Sequence, residues 1–289
     1  MTDAQSTHLP IYPTVLIQPT RGLASLQLRA VWEYRELLFF LAWRDIKVRY
    51  KQTALGVAWI VLQPLLSTVV FTLLFGGLLK VPSEGAPYAL FALAALVPWQ
   101  YFAGSVSRVG TSLINSANLI TKVYFPRLII PLSGVLSTLV DFAIGFLVLV
   151  GLLVGYRVPL TANVLWLPLF LLLAVITALG FGLWLAALNV RFRDVNYLIP
   201  FLLQIWMYVT PVVYGSTLIP ERYRFLLALN PMTGVVEGFR WALLQGAGVR
   251  GQESGVSALT AVSIAITLAV LATGLIFFRS TERTFADVI

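Results

Sequence analysis

The chain has 289 residues, of which 59% are apolar and 11% charged, with a mean hydropathy of +0.88 and a formal net charge of +8. That balance excludes a water-soluble domain, which carries about 25% charged residues, and the lack of cysteine excludes disulfides and thiolate metal sites. The expected solvent is the bilayer, and long unbroken apolar runs, rather than the alternation of barrel strands, predict an all-α integral membrane protein.

The opening stretch, MTDAQSTHLPIYPTVLIQPTRG, holds Asp3, three prolines and no long apolar core. It predicts a flexible segment over 1–30, not a cleavable signal peptide, so the first membrane helix is expected to direct targeting. Residues 31–51 mix Trp32, Tyr34, Phe39, Phe40 and Trp43 with Arg and Lys, and their longest uncharged run, LLFFLAW, is too short to span. This is the composition of an amphipathic helix lying in the membrane interface; a solvated helix packed on a partner is the alternative. The segment ends in Arg44, Lys47, Arg49 and Lys51, within eight positions, and no further charge occurs until Lys80.

A single six-span domain is predicted over 52–289, with spans at roughly 54–79, 87–107, 128–154, 163–190, 196–215 and 255–278. With both termini cytoplasmic, 14 of the 20 Lys and Arg fall on the cytoplasmic side, as the positive-inside rule requires. The charge placement thus speaks for membrane topology and anionic lipid, not for nucleic acid.

Between spans 2 and 3, residues 108–127 form a cytoplasmic segment longer than a minimal connection. Thr111 and Ser112 are placed to cap a short helix, SLINSANLITK, that Pro126 ends; it is either a docking knob or a plain connector. Span 3 carries Asp141 in SGVLSTLVDFAIGF, amid Ser133, Ser137 and Gly145 spaced by four. A proton relay and a packing ridge with a bonded or neutral Asp141 both fit.

Span 5 carries a stripe: at about 100° per residue, Tyr197, Phe201, Gln204 and Tyr208 share a face and Trp206 points away. In span 1, Gln63, Ser67 and Phe71 share a face flanked by Trp59 and Phe75. Amides and aromatic faces suit a path for a hydroxyl-rich polymer; hydrogen-bonded helix packing is the alternative. Between spans 5 and 6, residues 216–245 predict two short amphipathic helices, one started at Pro220 and one capped by Asn230. They either dip into the membrane and return or form an outer surface loop, with Glu221, Arg222, Arg224, Glu237 and Arg240 near the headgroups.

There is no GxxxxGK[ST] motif, so no Walker phosphate loop, and the only histidine is His8. No metal site and no catalytic residues are predicted in this chain, and an enzyme acting on lipid-linked sugars lacks its carboxylate or histidine constellation. An ion-coupled transporter lacks paired midplane charges.

The segments WRDIKVRYKQTALGVAW (43–59), LQPLL (62–66), LVPWQYFA (96–103), NLITKVYFPRLIIP (118–131), LNVRFRDVNYLIPFLLQIW (188–206), TPVVY (210–214), LNPMTGVVEGFR (229–240) and ERTFADVI (282–289) resemble, in this order, the membrane subunit of polysaccharide ABC exporters. That family includes O-antigen, teichoic acid and capsule exporters of the bacterial inner membrane. The resemblance implies a homodimer bound to two copies of a separate ATPase that holds ATP and Mg, and a lipid-linked polysaccharide as cargo. It implies ATPase coupling at about Thr111–Lys122, including Ser112, Asn115 and Asn118, with the interfacial helix also touching the ATPase. The helices at 216–245 would gate the outer face, and spans 1 and 5 would line the path. Arg44, Lys47, Arg49 and Lys51 would position a lipid-pyrophosphate head. An exporter of another lipid or drug with the same architecture is the alternative.

Overall fold

The structure, a computed structural model, describes residues 28–51, 56–247, 258–282 and 285. The flexible segment expected over 1–30 falls almost entirely outside them. Among the described residues there is no strand. The helices are α1 (Leu28–Glu33), α2 (Arg35–Lys51), α3 (Gly56–Phe71), α4 (Tyr88–Asn115), α5 (Ala117–Lys122), α6 (Ile129–Gly155), α7 (Leu167–Arg191), α8 (Val195–Val209), α9 (Glu221–Ala228), α10 (Pro231–Leu244) and α11 (Ala258–Thr281). A π-helical turn, Thr72–Leu78, continues α3.

Five helical segments are long and apolar enough to cross a membrane: Ala58–Leu78, Tyr88–Asn115, Ile129–Gly155, Ala162–Arg191 and Thr260–Thr281. α8 is apolar but shorter, against the expected run of 196–215. Its last turn gives way at Thr210, which is extended, and Pro211 follows, so helical hydrogen bonding stops there. The chain nevertheless traverses the length of α4: Ile199 meets Gly110 near one end, and the Tyr88 hydroxyl at the other end donates to the Val213 carbonyl at 2.6 Å.

α4 is the axis of the bundle. Its apolar window is 78% buried, against 11% for the α3 segment, and its hydropathy of 1.4 is the lowest of the five. Those two facts are linked, because a helix that touches protein on all sides need not be lipophilic. α6 runs antiparallel to it, with Ser105 bonded to Thr138 at 2.5 Å and the rings of Tyr101 and Phe142 at 5.7 Å. α7 and α11 run parallel and cross closely at Gly180 and Gly274, where an added Cβ at Gly274 would lie 2.5 Å from the Gly180 carbonyl oxygen. Thr177 and Thr267 bond across the same seam at 3.0 Å.

A second cluster closes the end of the bundle that holds the termini of α4, α7 and α11. Leu41 of α2 joins Leu113, Ile120, Phe125, Ile129, Val190 and Phe278 there. The helix expected over 31–51 is therefore two helices that break at Tyr34, one face of α2 being packed on the bundle while Phe39, Phe40 and Trp43 stay exposed. Beyond Leu41, α2 continues along α6, which brings Arg49 and Tyr50 to Asp141.

Candidate transport path and docking surface

On α8, Tyr197 is 81% exposed, Phe201 59% and Tyr208 53%, and Gln204 is exposed beside them. Trp206 occupies the opposite face, with its ring 4.6 Å from Phe181 and 5.0 Å from Phe102, both edge-on. Its indole N–H donates to Asn230 Oδ1 at 2.9 Å. On α3 the bundle-facing side is Pro64 and Thr68, both buried, which turns Trp59 and Gln63 outward and leaves Ser67, Phe71 and Phe75 half-buried. α3 and α8 both pack on α4. The α8 stripe is thus a polar and aromatic face left uncovered, and the α3 stripe is uncovered at Trp59 and Gln63 and half-buried beyond them.

At the end closed by the second cluster, the expected coupling residues divide. α4 runs unbroken to Asn115, so Thr111 and Ser112 do not cap a new helix. Their hydroxyls turn back onto the carbonyls of Ser107 (3.1 Å) and Val109 (2.7 Å), and Ser112 is buried. Asn115, the last residue of α4, is exposed, as are Asn118 and Lys122 on the short helix α5 seated by Ile120. Val123 and Tyr124 extend that exposed knob, and Arg191, Phe192, Arg193 and Asp194 form a second exposed turn between α7 and α8. Sequence reasoning missed Val123 and Tyr124; their signal was an apolar pair beside a lysine, outside every long apolar run.

The basic cluster also divides. Lys47 and Lys51 are exposed, and Arg44 pairs with its neighbour Asp45 at 2.9 Å. Arg49 is instead turned inward onto the Asp141 carboxylate, which also accepts from the Tyr50 hydroxyl at 2.6 Å. Asp141 thus has the partner that the sequence did not reveal, and Arg49 does not stand free for a headgroup.

At the other end of the bundle, Glu221 and Arg222 are exposed and Arg224 is half-buried, its Nε donating to the Ile219 carbonyl at 3.1 Å. Arg240 contradicts its expected headgroup position. It is 4% exposed and donates to the carbonyls of Phe91 (3.2 Å), Pro211 (2.6 Å), Val212 (2.6 Å) and Tyr214 (3.1 Å). Its guanidinium also lies 3.6 Å above the Phe91 ring. The reason is local: the extended chain after α8 leaves carbonyls without helical partners, and a planar five-donor group satisfies several of them at once. Asn230 caps α10 as expected, accepting from the Met232 N–H at 3.1 Å, and its amide donates to Thr210 at 2.8 Å.

Five helices long and apolar enough to cross a membrane, with exposed charged turns at one end, define a multi-pass membrane protein. The chain belongs to the ABC-2 type transporter family, whose model matches residues 36–244. It is 32% identical over 263 residues to the O-antigen export system permease protein RfbA of Myxococcus xanthus, covering 90% of this chain and 98% of that protein. It is 30% identical over 255 residues to RfbA of Klebsiella pneumoniae, covering 88% and 95%. To the polysialic acid transport protein KpsM of Escherichia coli it is 26% identical over 242 residues, covering 83% and 91%. The family read from the sequence motifs is the one that these matches show.

Proposed function

We propose that this chain is the transmembrane permease subunit of an ATP-driven exporter that moves lipid-linked polysaccharide across the bacterial inner membrane. The observation that carries the reading is the match along nearly the whole chain to O-antigen export permeases. The polypeptide makes six passes, the fifth completed by α8 with the extended segment after it, and α9 and α10 enter the membrane from outside and return. Two copies pair so that the α3 and α8 stripes line one path, and each copy docks a separate ATPase subunit on the α5 knob. Disruption of the chain in its host should leave lipid-linked polymer made but retained inside the cell, and a restored copy should return it to the surface. Unchanged surface polymer in the disrupted strain would overturn the reading.

Two expectations follow from the division of labour. The purified chain should hydrolyse no ATP above background, since it lacks a phosphate loop; specific turnover that copurifies with it would refute a separate ATPase. Asn118→Glu with Lys122→Glu should reduce export at least tenfold at an unchanged level of folded chain, because these exposed side chains support no packing. Normal export by that double variant would remove α5 from the docking surface.

A further inference from the structure

Asp141 stands twelve residues into α6, about 18 Å from its start, and the transport reading gives it no work. α2 holds its carboxylate, with Arg49 on Oδ2 and the Tyr50 hydroxyl on Oδ1 at 2.6 Å. Arg108 of α4 lies two turns away on the same face of α6, its Cγ 3.5 Å from where a Cβ on Gly134 would sit. An ion pair at this depth is demanding in geometry, and removing either partner would leave the other charge without this counter-ion.

The place of the pair along the chain gives it meaning. Arg49 is in the last turn of α2, and α3 begins at Gly56. Leu41, two turns earlier, is locked in the cluster at the end of the bundle. Arg49 is therefore a last fixed point before the chain turns into the first span. That span is the least embedded of the five, at 11% buried. An open apolar groove lined by Val61, Leu65, Val148, Gly151 and Leu152 separates its first third from α6. Its far end is held at Gly76, so close to Tyr88 that an added Cβ would lie 2.9 Å from the ring. The first span is held on α4 through Pro64 and Thr68 and at Gly76, and is open toward α6 near its root.

We infer that Arg49 and Asp141 are a positioning pair for the first span: they fix the root of α3, and so the distance between α3 and α6 along the groove. The consequence for transport rests on the proposed function, since the same helix carries Trp59, Gln63 and Ser67. The geometry itself does not.

The chain has no native cysteine, so the test is direct. Leu65→Cys with Leu152→Cys reports across the groove, and Ser105→Cys with Thr138→Cys reports the α4–α6 core, in isolated membranes under a mild oxidant. Asp141→Asn and Arg49→Gln should each change the groove cross-linking rate fivefold or more and leave the core pair unchanged. The charge swap Arg49→Asp with Asp141→Arg should bring the groove rate back to within twofold. Unchanged groove rates in the single variants would overturn the inference. If a single variant loses the core cross-link and so fails to fold, the swap decides: recovery of both rates supports the pair, and failure to recover overturns it. No polymer or ATPase takes part, so this result stands apart from the export assay in the disrupted strain.

Discussion

Arg240→Met should cost the folded chain at least about 4 kcal/mol. The substitution removes four hydrogen bonds to carbonyls at 2.6–3.2 Å, three of them buried, and a hydrogen bond from a charged donor contributes about 1.5–3 kcal/mol. Those carbonyls belong to α4 and to the extended segment after α8, so one side chain ties three parts of the outer end together. A loss of that size is comparable to the whole stability of many domains, about 5–15 kcal/mol. The variant should accumulate poorly in the membrane and, if recovered, melt well below the parent in detergent. Arg240→Lys should rescue little, because an ammonium has three donors and no planar fork. A melting temperature unchanged by Arg240→Met would show that the carbonyls find other partners.

Trp206→Ala and Tyr208→Ala, two positions apart on α8, should fail in different ways. Trp206 fills the space between Phe102 and Phe181 and holds Asn230, which caps α10 and reaches Thr210. Its truncation opens a cavity and undoes that relay, at about 3–5 kcal/mol. Tyr208 is 53% exposed, so its truncation should change stability by less than about 0.5 kcal/mol. Export per folded complex should respond in the reverse order, falling with Tyr208→Ala and staying near normal for whatever Trp206→Ala protein survives. Equal melting losses in the two variants would contradict the packing. Equal labelling of single cysteines at 206 and 208 by an impermeant thiol reagent during turnover would deny that the stripe lines the path.

The features legible in the sequence are those that depend on neighbours along the chain. The long spans follow from continuous apolar runs, the α10 cap from Asn230 followed by Pro231, and the two faces of α8 from the helical period. What was not legible depends on neighbours in space. Arg49 and Lys47 look alike in a basic cluster, and only the packing of α2 along α6 separates the half-buried, paired one from the exposed one. Arg240 reads as one more outer-face cation until the carbonyls after α8 are seen around it. Ser112 reads as a cap because the sequence does not show that α4 continues beyond it to Asn115. In each case a polar residue owes its place to a partner more than 25 residues away or to a helix longer than its hydrophobic run.

The burial of α4 bears on how the protein is made. Ordered by sequence, α4 reaches the membrane second, while α6, α7 and α10, which cover most of it, have yet to be synthesised. Its lower hydropathy, with Gln100, Gly104, Ser105 and Arg108 along it, gives it a weak claim on lipid by itself. The nascent chain is therefore expected to shelter α4 beside the insertion machinery, or to pass through a stage in which α4 is poorly settled, until α6, α7 and then α10 have emerged. Slowed translation between α5 and α7 is therefore expected to lower the yield of folded chain.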